Sequence, residues 1–328
     1  MNLDQKYKNK NVLITGGLGF IGSNLARALV DLGAKVTILD ALLSPYGGNM
    51  FNIHDIEVEF YEGDIRNKET VEKLIKNKDY IFNLAAQVDY LHSQNKPFLD
   101  LEINCAGHLT VLEACRQFNK QAVILFSGSR MMYGRIEYNP VDENHPTQPL
   151  SIYGVNKLAG EKYYQMYNSV YGLKTVALRI ANPYGPRQQM KHSSYGIVNW
   201  FVRSAMENKK ITIFGEGSQI RDYVYVGDIA EAMLRTAATD KAYGDTFNLG
   251  SGKGTRFYDM AKEVVRTVGK GSIVNVDWPK DYFNVETGDY ISDISKLKNT
   301  TGWSPKISLN EGIIKTFDYY LENKRHYW

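Results

Sequence analysis

Short apolar runs rich in β-branched residues recur at Asn11 to Gly16, Lys35 to Asp40, Val58 to Ile65, Tyr80 to Ala85, Ala122 to Gly128 and Thr175 to Ile180. Between most of them apolar residues return every three or four positions, the period of a helix with one buried face. The stretch opening at Phe20 closes at Gly33, and the one opening at Thr70 follows Asn67, whose side chain can cap a first turn. Strand, helix and strand in series bury both faces of a sheet when the strands run parallel. The pattern therefore predicts an α/β fold built on a doubly wound parallel sheet.

Beyond Ile180 the texture shifts to a turn-rich Asn182 to Gln188, a helical pattern from Ile197 to Asn208 and a hairpin-like run from Ile211 to Ser218. These predict a second, smaller α/β substrate domain. The run from Tyr223 to Ala237 reads as a strand and helix returning to the first domain. The expected division is residues 1–180, rejoined by about 222–250, against 181–221 and 251–328.

Composition removes several function classes. The 328 residues are 43% hydrophobic and carry 39 Lys plus Arg against 36 Asp plus Glu, a net charge of +3. A disordered chain would be less apolar and more charged, and a membrane span would need about 18 consecutive apolar residues, which are missing. Near-neutral charge argues against a nucleic-acid partner. The polar start, with no apolar signal region, leads us to expect a cytoplasmic protein. Cys105 and Cys115 fall in one predicted helix, where ten residues rise about 15 Å, beyond the reach of a disulfide. They are expected to be buried thiols. The histidines show no ligand spacing with cysteines or carboxylates, so no metal is expected and each is read as a surface or ordinary polar residue.

Candidate chemistry begins at the first strand's end. Gly16, Gly19 and Gly22, with Phe20 and Ile21, turn the chain from that strand into a helix, so that backbone amides at the helix N-terminus can meet a pyrophosphate. Asp40 ends the next strand, where a carboxylate accepts from an adenosine ribose, and the following Ala41 and Leu42 offer no cation for a 2′-phosphate. The expected cofactor is NAD in a Rossmann-type domain, with Asp64 and Ile65 near its adenine. Farther on, Tyr153 and Lys157 stand one helical turn apart, and Ser129 ends the fifth strand. A tyrosine ionises near pH ~10, so a neighbouring ammonium and a cationic nicotinamide would help it act as a base. Ser129 would orient a sugar hydroxyl for proton transfer.

Taken in order, the segments at Thr15 to Gly22, Phe126 to Gly134, Tyr153 to Lys157, Asn182 to Gln188 and Arg221 to Ala232 resemble the extended short-chain dehydrogenase/reductases over nearly the whole chain. The resemblance is strongest to nucleotide-sugar epimerases and dehydratases, in plan that of the UDP-glucose 4-epimerases. It implies Tyr153 as base, with Lys157 and Ser129 assisting, in oxidation at C4 of a nucleoside-diphosphate sugar and reduction on the other face. It also implies that Leu84, Ala85, Ala86 and Asn104 border the cofactor, and that Asn182, Arg221 and Arg130 meet the substrate. Where the dehydratases carry acidic residues after the serine, this chain has Arg130 and Met131, which disfavours dehydration unless Glu137 or Glu143 stands in. Where many epimerases have an arginine ahead of Gly-Asp, it has Glu286 and Thr287, which leaves sugar and nucleotide open. A C4 dehydrogenase or 4,6-dehydratase is the alternative outcome, and a non-catalytic NAD sensor or scaffold a third. The family also implies a homodimer, and the tyrosines at 163, 164, 167 and 171 are read as part of its interface.

Overall fold

The structure, a computed structural model, describes residues 1–43, 48–193 and 196–328. Its large sheet contains β1 (Asn11–Thr15), β2 (Lys35–Asp40), β3 (Glu59–Glu62), β4 (Tyr80–Asn83), β5 (Val123–Ser129), β6 (Lys174–Ile180) and β10 (Thr246–Leu249). The order is β10-β6-β5-β4-β1-β2-β3, with every pairing parallel. Neighbouring β1 and β4 leave the sheet toward opposite sides, which makes a switch point where a crevice opens beyond the strands' carboxyl ends. Central strands are buried on both faces, hence their unbroken apolar runs.

The remaining strands are β7 (Asn182–Tyr184), β8 (Lys210–Phe214), β9 (Ile220–Tyr225), β11 (Gly254–Arg256) and β12 (Ser272–Val276). They form a three-stranded sheet, β11-β9-β7, and a two-stranded one, β12-β8. Helices Ile197–Met206, Phe257–Val268 and Leu309–Asn323 pack here around a separate apolar core that includes Val198, Phe201, Ile211 and Ile313.

Two local readings are corrected. Residues 211–218 do not fold back as a hairpin: β8 ends at Phe214, just before Gly215 with φ +61°, and its parallel partner β12 comes some sixty residues later. Strand β9 belongs to the small sheet. Only the following helix, Val226–Ala237, packs against helix Phe20–Asp31, and β10 is what rejoins the large sheet. In both cases an apolar strand cannot name its partner locally.

Helix Ile152–Tyr171 buries Tyr164 and Tyr167 inside its own chain, Tyr164 against Phe126 and Tyr167 bonded to Glu113. Tyr164 and Tyr167 of the run are thus core, whereas Tyr163 is half-buried and Tyr171 exposed. Cys105 and Cys115 are buried and free. His108 is no surface residue either. It is fully buried edge-on to Phe126, and burial holds its imidazole well below the usual range. Among the described residues no helix is long and apolar enough to cross a membrane, and no cluster of three metal-ligating side chains occurs.

Candidate active site

The carboxyl ends of β1, β2, β4 and β5 open onto a cavity of about 360 Å³. Its floor is the turn from β1 into helix Phe20–Asp31. Gly16 takes φ +68°, and a Cβ there would stand 2.9 Å from the Ala85 backbone. At Gly22 a Cβ would lie 2.3 Å from the Gly16 carbonyl oxygen. Only glycine lets the turn close this tightly, and Gly19 caps the helix without a side chain to satisfy its first amides. Phe20, Ile21 and Gly22, at the opening of that helix, line the cavity, and unpaired N–H groups at a helix N-terminus are suited to an anion.

Asp40 braces the same turn, accepting from the backbone N–H of Leu18 and of Leu42 at 3.0 Å each. Burial pushes its carboxyl up, and the two amides counter that. A carboxylate has about four acceptor positions, so room remains for a ribose hydroxyl. Asp64 also lines the cavity, but Arg66 holds it in a two-pronged ion pair at 3.0 and 2.7 Å. Ile65, Leu84, Ala85, Ala86, Phe20 and Ile21 complete this wall.

Opposite stands the group from helix Ile152–Tyr171. Ser151 caps that helix by accepting from Gly154 N–H at 3.1 Å, which fixes where Tyr153 emerges. The Tyr153 phenol lies within the electrostatic influence of the Ser129 side chain, whose Oγ accepts from Met131 N–H at 3.2 Å. Lys157 Nζ donates to the Ser127 carbonyl oxygen at 3.0 Å and sits over the Phe126 ring. Tyr153, Lys157 and Ser129 all line the cavity. Burial pushes the phenol up to about 12, with Ser129 opposing, and pulls the ammonium down to about 7, with Asp100 opposing. Each charge is costly here alone, so the site favours them as partners or beside a charged ligand.

The chemistry-based reading of the sequence missed Asp100. It is fully buried and accepts from Asn156 at 2.8 Å, Asn104 at 3.0 Å and Gln87 at 3.1 Å, tying the Tyr153 helix to the segment after β4. Its spacing of four from Asn104 is the one local signal. Thr15 was missed as well: its Oγ1 accepts from the N–H groups of Leu84 and Ala85 and donates to Asn83 Oδ1, locking β1 to β4 under the cavity.

Two expected site residues do not line the cavity. Asn104 lies one layer behind, in a π-helical turn (Glu102–Gly107), where its amide donates to the Gln87 carbonyl at 2.7 Å. Its buried Oδ1 has no hydrogen-bond partner among the described residues. Arg221 is turned into an ion pair with Glu286. Arg130 and Asn182 do line the cavity, Arg130 Nε donating to Asn182 Oδ1 at 3.3 Å. Neither Glu137 nor Glu143 reaches it; Glu143 instead accepts from Asn248 N–H at 2.7 Å.

A family model described as GDP-mannose 4,6-dehydratase matches residues 13–316. The chain is 36% identical to a putative UDP-glucose 4-epimerase of Methanocaldococcus jannaschii, across 96% of this chain and 99% of that one. It is 34% identical to the CDP-paratose 2-epimerase of Salmonella typhi, across 94% and 98%. Among solved structures it resembles the UDP-glucose 4-epimerase of Thermus thermophilus in complex with NAD, with TM-score 0.84, 32% identity and coverage of 95% and 99%.

Proposed function

Because the chain belongs to the family of NAD-dependent nucleotide-sugar epimerases and dehydratases, we propose that it inverts one carbon, C4, of a nucleoside-diphosphate sugar. NAD, when bound, supplies first a hydride acceptor and then the donor. The glycine turn and the amides opening helix Phe20–Asp31 would hold its pyrophosphate, and Asp40 its adenosine ribose. Ser129 orients the sugar hydroxyl, and Tyr153 takes its proton and later returns it. Lys157 supplies the positive charge that makes the phenolate accessible. Residues 1–180 with the helix and strand of 226–249 form the dinucleotide side of this arrangement, and the small sheets carry the sugar nucleotide.

One observation favours epimerisation over dehydration. Dehydration needs an acid for the leaving oxygen and a base for a carbon-bound proton. Among the described residues, the acids lining the cavity are Asp40 and Asp64, at the ends of β2 and β3 and away from Ser129. A sensor has no use for the serine, tyrosine and lysine together. We further propose a homodimer, supported by exposed Phe98, Leu101, Val155 and Val170 on the helices around the Tyr153 segment.

The deciding experiment supplies the purified protein with UDP, GDP, CDP and dTDP sugars and reads the products by proton NMR. We expect resident NAD, one sugar converted to its C4 epimer, and no net NADH. Accumulation of a 4-keto product, or NADH in step with product, would overturn the epimerase reading.

A further inference from the structure

Asp100 is a fully buried carboxylate whose hydrogen-bond donors among the described residues are all neutral amides, and the proposed reaction makes no use of it. Resting on the epimerase reading, we propose that Asp100 is a positioning residue whose carboxylate is the counter-charge that keeps Lys157 an ammonium at the cavity.

Local sequence brings the parts together. Asp100 and Asn104 stand four apart where helix Pro97–Leu101 runs into the π-helical turn, so their side chains meet on one face, Asp100 Oδ2 accepting at 3.0 Å. The same oxygen accepts at 3.1 Å from Gln87, which lines the cavity. Oδ1 accepts at 2.8 Å from Asn156, the residue before Lys157. The turn continues along the helix past Lys157, for a Cβ at Gly160 would lie 3.4 Å from the Asn104 carbonyl oxygen. Tyr153 N–H donates to Ser93 Oγ at 3.1 Å, a second tie from this helix to the segment after β4.

The Lys157 ammonium likewise donates to a neutral group, the Ser127 carbonyl. Two buried charges without bonded counter-ions are each costly alone, and held on neighbouring turns they offset one another. Asp100 favours the charged Lys157, and Lys157 the charged Asp100. The same anion disfavours the Tyr153 phenolate. Other carboxylates on the surrounding elements are already matched: Glu161 by Arg179, Glu113 by Arg116, Glu102 by Arg66. Burial and the Lys157 charge both hold His108 neutral, and burial pushes up the Cys105 thiol and the Tyr164 and Tyr167 phenols. His92 favours the Asp100 charge, and Arg130, after β5, is itself a cation. Asp100 is left as the carboxylate for Lys157.

The test titrates NAD-loaded protein carrying 13Cε-lysine, with Lys157 identified as the NMR signal lost in Lys157→Met. Loss of a nearby anion lets a proton leave more easily, so in Asp100→Asn the Lys157 midpoint should fall by at least about one pH unit. The rising limb of kcat/KM, measured with the sugar nucleotide that the substrate panel identifies, belongs to the coupled tyrosine and lysine and should also move to lower pH. That direction is opposite to the one expected for Lys157→Met. We expect kcat to drop about tenfold with KM within threefold of wild type. A purely structural role would lower kcat and leave both pH readouts in place. An unmoved Lys157 midpoint, or a rising limb that stays put, overturns the proposal. Should Asp100→Asn fail to fold, Asp100→Ser, which is smaller and can still accept from Asn156, is read by the same two measurements. A wild-type protein that turns over no sugar nucleotide would sink the epimerase reading, whereas the Lys157 titration would still decide the counter-charge.

Discussion

Lys157 donates to the carbonyl oxygen of Ser127 at 3.0 Å, and this bond ties the helix that presents Tyr153 to the strand that ends in Ser129. The ammonium cannot swing away without losing that acceptor inside a buried site, so its charge stays at the cavity that the phenol also lines.

Tyr153→Phe keeps the packing and removes the proton carrier. Turnover should fall by about 10²–10⁴-fold with sugar-nucleotide affinity nearly intact, as measured by single-turnover kinetics beside calorimetry. Equal losses in both would argue against the role. The phenol, held up at about 12, must lose its proton to act, so kcat/KM should rise with pH on the acid side. Lys157→Met takes away the stabilising cation, so that rising limb should shift to higher pH. A limb that stays in place would separate Lys157 from the base.

Gly22→Ala should cost the protein its dinucleotide. The new Cβ would meet the Gly16 carbonyl oxygen at 2.3 Å, a backbone atom that cannot rotate aside. A loss of about 1.4 kcal/mol or more, tenfold or more in Kd, is expected for added NAD. Unchanged NAD content in the purified variant would show that the pyrophosphate is held elsewhere.

Glu161 and Arg179 test stability apart from chemistry. Arg179 on β6 donates through Nε and Nη2 to Glu161 at 2.8 and 2.6 Å, and both side chains are buried. Glu161→Gln leaves a buried cation half-matched and should cost about 3–5 kcal/mol in denaturant unfolding. Pairing Glu161→Leu with Arg179→Met should recover much of that loss. Additive losses would mean that the two side chains do not act as a pair.

Phe98 is 77% exposed and Val155 51% exposed, a costly apolar display for a monomer. Phe98→Glu combined with Val155→Glu should shift the mass measured by light scattering from dimer to monomer, while far-UV circular dichroism stays unchanged. A wild-type protein that is already monomeric would remove the dimer proposal.

Local sequence determined the alternation of strands and helices, because a buried strand needs a continuous apolar run and a surface helix an apolar stripe, whatever lies elsewhere. It also determined the glycine turn, since Gly16 and Gly22 meet close neighbours that a Cβ would strike, and the one-turn spacing of Tyr153 and Lys157, which any helix delivers. Tertiary structure decided what depends on partners distant in the chain. β8 pairs with β12 and β10 closes the large sheet, because strand pairing is set by which edge is available in space. Asp100 becomes a buried hub only when Gln87, Asn104 and Asn156 converge on it. Arg130 and Arg221 are the same residue type, and what separates them is the placement of Glu286, which neutralises one and leaves the other facing the cavity.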